Sequence, residues 1–417
     1  MEVSGFRRVL ATSAAAVFAL GVLSAPAWAH WKGNGAHSAP KARAADNGTE
    51  VSVTTIAKGL DNPRDLTFGP WGALYVAEAG NGAEPGSTEC IPGPRPGEQM
   101  CVGFTSGVSR IDRWGVHKIV SGLVSLAEPN GSSAEGTSAV AGSWRGLQAL
   151  EQESADGLSP EASKYLSAAT LAKAKEQLGR LYQIGPWGHL REIADVGDFD
   201  YQWSLENKSL VPEQFPDADP YSLLLSPWGT WVIDAASNTL GKVSRSGQVS
   251  VTTFFPNPPV SDSVPTCVDR GPDGALYVSQ LVGVGNAAGI GVVWRVVPGH
   301  APEVWASGLT SVTGCGFGPD GQFYAVEFSN KPLVEAAPGT GEVVRVPPHS
   351  TSPIPIVEHL SFPGGFAANR WSNSLYVSNW IVAPADGALG GATGEVLRIA
   401  LPTSGYGYHG GPPHRGH

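Results

Sequence analysis

The chain is poor in charge, and poorest in positive charge. Only 15% of its 417 residues are Asp, Glu, Lys or Arg, and 37 acids against 27 bases leave a formal charge of −10. Non-specific nucleic-acid binding needs a basic face, so this balance argues against it. There is no G-x-S-x-G, no H-E-x-x-H and no phosphate-binding Walker loop. The signatures of a serine hydrolase, a zinc protease and a nucleotide-binding loop are therefore missing. Histidine is scarce between the chain ends: His117, His189, His300, His349 and His359 are all there is. Most flank hairpin turns, which suits surface positions better than general bases.

Long apolar runs are also lacking, with one exception. Arg7 and Arg8 precede an Ala-rich run to about Leu23, then Pro26-Ala27-Trp28-Ala29. The run is too short to span a bilayer comfortably. Ala27 and Ala29 fit cleavage before His30, so residues 1–29 read as a signal peptide. The protein is expected to be secreted or extracytoplasmic, without a transmembrane segment after cleavage and without a lipid anchor. The arginine pair leaves the general and twin-arginine export routes both open. Residues 30–50 are Gly/Ala/Ser/Lys-rich and non-periodic, a flexible linker. Residues 403–417 form a Gly/His/Pro tail, read as disordered.

Cysteine is limited to four residues. Cys90 and Cys101 flank a Pro/Gly-rich loop and are expected to pair in an oxidising compartment. Cys267 and Cys315 fall in neighbouring repeats, one register position apart. A disulfide and two buried thiols both stay open there.

What the chain does have is repetition. Gly59 to Gly80 reads GLDNPRDLTFGPWGALYVAEAG, two β-rich runs around a Gly-Pro turn. Pro presets φ at the second turn position and the Gly after it tolerates positive φ, so this is a β-hairpin. Copies follow at CVDRGPDGALYVSQ (Cys267 to Gln280), GCGFGPDGQFYAVE (Gly314 to Glu327), LLLSPWGTWVID (Leu223 to Asp234) and GFAANRWSNSLYVSN (Gly365 to Asn379). Each is followed by a second pair of strands, as in LGRLYQIGPWGHLREIADV. The final unit stops at GEVLRIALP without a fourth strand, while VSVTTIA (51–57) is a fourth strand with no unit before it. Pairing 51–57 with 394–400 closes the ring and removes its exposed edges. Four-stranded antiparallel units arranged radially make an all-β propeller over residues 51–402.

The blade count is six. The stretch between Tyr75 and Trp231 holds two blades and an insertion. Ser159-Pro160-Glu161 looks like a helix start and Gly179 like its end, so one inserted helix is expected near 160–178. Blade two has an eroded inner hairpin that aligns without gaps, Gly142-Ser143-Trp144 over Gly69-Pro70-Trp71 and Glu151 over Glu78.

These motifs, with the two-Cys loop, SGVSRI and LGRLYQI, resemble the ScyD/ScyE family, over about Val51 to Leu401. The resemblance implies an exported six-bladed propeller related to NHL-repeat proteins, with no established catalytic residues. Trp71 and Trp228 depart from it, standing where Asp is usual; Asp273 and Asp320 keep the usual residue.

The polar residue after each LYV-like run should cluster on one face: Glu78, Glu151, Gln280, Glu327 and Asn379, with Asp234 joining only if blade three has lost a residue. Arg64 should lie near Glu78. Such oxygens suit Ca²⁺. Equally, an acid there can accept backbone N–H bonds from the next loop. Regucalcin-type gluconolactonases are also six-bladed and hold metal near the inner-strand starts. Here those starts read NPRD, GTSA, DPYS, PTCV, VTGC and PGGF, poor in carboxylates. Quinoprotein sugar dehydrogenases share the turns, but no cofactor constellation is visible. Trp71, Trp144 and Trp228 occupy equivalent inner turns, where apolar surface can mark a partner or glycan face. The sequence thus points to a monomeric binding or assembly module for a small molecule, glycan or protein. A metal-dependent hydrolase or lactonase is the alternative, and enzyme status stays open.

Overall fold

The computed structural model describes residues 40–42 and 51–402, apart from 70–71, 94–95, 144–145, 258 and 284. The expected signal peptide, the tail, and most of the linker lie outside the described residues. Within them, Lys41–Ala42 of the expected linker form a short strand beside Val357 and Glu358.

Six blades form a closed wheel. Their innermost strands are Pro63–Phe68, Thr137–Ser143, Pro220–Ser226, Pro265–Arg270, Val312–Phe317 and Phe366–Asn369. Each begins an antiparallel blade of four strands, to which Cys90–Pro92 adds a fifth in blade one and Lys41–Ala42 a fifth in blade five. Ser52–Leu60 pairs with Gly394–Ala400, with Thr54 opposite Arg398, and so supplies the outermost strand of blade six. The core is divided among the gaps between blades. Leu60, Leu66, Val76 and Val396 pack blade six on blade one; Leu150, Leu181, Val232 and Val243 pack blade two on blade three. The alternating runs have this effect because one face of each sheet meets the next sheet.

The repeated turn has a steric logic. A Cβ at Gly69, Gly271 or Gly318 would collide with the ring of Tyr75, Tyr277 or Tyr324 six residues later. In blade four Asp273 then accepts from the Tyr277 hydroxyl (3.3 Å) and pairs with Arg295 (2.8 Å), locking turn, second strand and third strand together. Blades two and three close with two turn residues, not three: Ser143 pairs with Gly146 and Ser226 with Gly229. That shortening keeps Asp234 in register with Glu78. It also replaces the expected gap-free overlay of blade two by a one-residue offset in its first strand.

The insertion holds the expected helix near 160–178, with a short turn ahead of it. Ser159 caps a short 3-10 turn, Pro160–Lys164, and Ser167 caps a separate helix α1, Ala168–Lys175. A further helix, α2, Gly197–Glu206, had no clear apolar period to announce it. Leu166 and Ala174 of the insertion pack on Val102 and Leu126 of blade one. Those strands, Gln99–Asp112 and Gly115–Ala127, run far beyond the sheet and carry the loop closed by the Cys90–Cys101 disulfide. Cys267 and Cys315 are also bonded, joining the innermost strands of blades four and five. No described helix is long and apolar enough to cross a membrane.

Candidate functional site

The six residues at the ends of the second strands make most of their hydrogen bonds within their own blades. Glu78 accepts from the backbone N–H of Asp61 (2.8 Å), from the Ser109 hydroxyl, and from Lys118 Nζ (2.9 Å). Asp234 accepts from the N–H groups of Asp219 (3.0 Å) and Ser237 (2.7 Å). Glu327 takes Thr310 N–H at 2.8 Å and Asn379 takes Ser361 N–H at 3.0 Å. Gln280 accepts from Trp294 Nε1 at 2.7 Å, and Glu151 from Thr137 Oγ1 at 2.6 Å. Five of the six fasten the loop that leads into their own innermost strand, Gln280 through Ser263 Oγ at 3.3 Å, while Glu151 holds the first residue of that strand, Thr137. The ring positions are shared, but these oxygens are engaged locally, within their own sheets except for Glu151, which also accepts from Ser106 Oγ of blade one at 3.4 Å. Among the described residues no group of three or more His, Cys, Asp or Glu is placed to hold a metal ion.

Arg64 has two neighbourhoods. Its backbone is next to Glu78 in the ladder, since Pro63 opposes Glu78. Its side chain turns the other way, where Nη2 donates to the carbonyl of Ala134 in the loop before blade two. It is 3% exposed, and its Nε and Nη1 have no hydrogen-bond partner among the described residues. Tyr221 of blade three lies beside it, as does Glu135, whose carboxyl burial pushes up to about 8. Behind Glu135 stand Glu153, Asp217 and Asp219. Burial first, then the neighbouring acids, hold Glu153 and Asp219 well above the ordinary carboxylate range. The repeat pattern gave no sign of this group, because its members sit in connecting loops that differ from blade to blade.

Arg64 and Tyr221 lie at one end of the central cavity, which has a volume of about 730 Å³. Small or apolar residues of all six innermost strands line its wall, among them Leu66, Val140, Leu223 and the Cys267–Cys315 disulfide. At the Arg64 end, loops of blades three to six pack into an apolar plug containing Phe328, Phe362, Trp380 and Ile381. At the opposite end the lining residues are the exposed turn residues Arg270, Pro272, Gly321 and Arg370. The mouth therefore opens on the turn face. Midway, Asp65 accepts from Leu66 N–H, yet burial raises its carboxyl to about 7. Such a chamber can take a small molecule end-on, with a cationic donor at its floor.

The turn face carries the exposed aromatics. Trp187 is 96% exposed, Trp371 93%, Trp228 74% and Trp114 68%. Trp71 and Trp144 lie outside the described residues. Trp187 also has φ +61°, a left-handed conformation that bulky side chains avoid.

No family model matches the chain, so the ScyD/ScyE resemblance rests on the motifs quoted above. No curated protein matches it. Solved structures similar to it include a gluconolactonase from Xanthomonas campestris, XC5397, at 9% identity, with 88% of this chain and 95% of that one covered and a TM-score of 0.49. Another is the PQQ-bound aldose sugar dehydrogenase from Streptomyces coelicolor, at 13% identity, 87% and 100% coverage, TM-score 0.43. A third is virginiamycin B lyase from Staphylococcus aureus, at 11% identity, 85% and 100% coverage, TM-score 0.41. Likenesses this distant carry nothing about chemistry, and what stands of the protein's identity is its architecture, a six-bladed β-propeller.

Proposed function

We propose that the protein is an exported binding module whose ligand is a small molecule held in the central cavity. One observation carries the reading: a chamber of about 730 Å³, plugged at one end, with the buried Arg64 guanidinium at that end beside Tyr221 and Glu135, its Nε and Nη1 outside the hydrogen bond to Ala134. Volumes of this order suit small-molecule ligands, and a few convergent polar groups set their orientation. A planar fork of donors favours a carboxylate or a carbonyl on the leading end of the ligand. The apolar wall favours an aromatic or aliphatic body behind it. Two disulfides fit an oxidising compartment. The hydrolase reading would need the Glu78 and Glu327 oxygens free to face a common ion, and both are engaged within their own blades.

A thermal-shift screen of aromatic carboxylates against their neutral amides tests the proposal. The acids should stabilise the protein more than the amides, and Arg64→Leu should abolish the difference. Equal stabilisation by acids and amides, or an unchanged response in Arg64→Leu, would overturn it.

A further inference from the structure

The turn face holds a second kind of site. In a four-stranded blade the first and third turns emerge on the same side, so every inner and outer hairpin tip lies on this face. All four of the strongly exposed tryptophans described above are there, one each on blades one, two, three and six. So are five exposed arginines: Arg113, Arg191, Arg245, Arg270 and Arg370. None of the five has a carboxylate within ion-pair distance among the described residues. Arg270 and Arg245 donate to the turn carbonyls of Gly274 and Pro227, and the Arg113 guanidinium stacks 4.0 Å from the Trp114 ring centroid. Acids are present on the face too: several lie against neighbours of their own, while the exposed Glu192 and Glu303 make only long contacts to Arg180 (3.9 Å) and Arg295 (4.0 Å). Asp112 pairs with Arg110, Asp273 with Arg295, and Asp320 accepts from Tyr324. A chain of net charge −10 thus presents five arginines outside ion pairs on one face, while its buried carboxylates gather at the other end of the cavity.

We infer that the turn face docks an acidic polysaccharide. Charge complementarity requires an anionic partner. The spacing of the aromatics favours sugars over protein. A folded protein partner needs one contiguous desolvated centre, and these indoles stand on separate blades. A chain of sugar rings can be gripped at separate points. An indole face covers the apolar face of one ring, and a guanidinium takes the carboxylate of another. The site is distinct from the cavity floor and does not rest on the small-molecule reading.

Titration calorimetry with polygalacturonate oligomers, with neutral dextran and polyglutamate alongside, tests it. Polygalacturonate should bind, more weakly at high salt, and dextran should not. Trp228→Ala with Trp371→Ala, and separately Arg270→Ala with Arg370→Ala, should each weaken binding by at least roughly tenfold. The Arg64→Leu variant should bind normally. No binding of polygalacturonate, equal binding of polyglutamate, or full affinity in both double variants would overturn the inference. Because the arginine pair is exposed and outside every core cluster, that variant stays informative if the tryptophan variant misfolds.

Discussion

Glu327 accepts a 2.8 Å hydrogen bond from the backbone N–H of Thr310, 17 residues earlier and just ahead of the innermost strand of its blade. Asp234 and Asn379 repeat the contact at Asp219 and Ser361. Removing such an acceptor strands a buried N–H, which costs about 1–3 kcal/mol. Glu327→Ala should therefore lower stability by that amount in denaturant unfolding. Because the oxygens are engaged internally, chelation should leave the melting temperature of the wild type unchanged. A clear drop on adding EDTA would return these acids to metal binding.

The buried carboxyls set a pH dependence. Glu135 and Glu151 are raised to about 8 and Asp262 to about 6, with burial the leading cause in each. Each keeps its proton in the fold at a pH where the unfolded chain has lost it. The stability this contributes is present in full below about pH 4 and is lost as pH rises towards 8. Melting temperature should accordingly fall between those limits, and Glu151→Gln should flatten the slope. A profile that rises over the same window would contradict the assignment.

The two disulfides should differ in weight. Cys267–Cys315 closes a loop of 48 positions and Cys90–Cys101 one of 11. On chain entropy alone these contribute about 4 and about 3 kcal/mol. Serine replacement of the Cys267–Cys315 pair should cost more stability, and should also loosen the cavity wall. The Cys90–Cys101 pair should mainly raise protease sensitivity in the long hairpin of blade one.

Ring closure is testable directly. Val53→Pro removes a donor within the strand that pairs with Gly394–Ala400. Because the strand is outermost, the loss should be that of about one ladder hydrogen bond with its packing, roughly 1–3 kcal/mol in denaturant unfolding.

Much of this wheel was legible because its rules are local. Gly-Pro turns, alternating runs and the Gly that clears a tyrosine ring recur at fixed offsets, and the incomplete last unit announces the first strand. The polar tips were legible as positions, through Glu78 and Glu327, but their partners were not, because a hydrogen bond to a preceding loop leaves no mark in spacing. Arg64 was singled out by its adjacency to Glu78, which the ladder keeps at the backbone, but its side-chain partner, the Ala134 carbonyl, left no mark in the sequence. The acids around Glu153 lie in unrepeated loops, and only folding brings them together.

The joint in blade six has a consequence for how the molecule is made. Thr55 and Glu395 touch across 340 positions, so the first strand must wait, edge bare, until the final segment exists. Until then five finished blades form an open arc, and closure is a late, long-range event of the slow kind. A crowded solution of half-made arcs offers each waiting strand a neighbour's last segment in place of its own. Two chains latched reciprocally in this way are the misassembly to look for when refolding is attempted at high concentration.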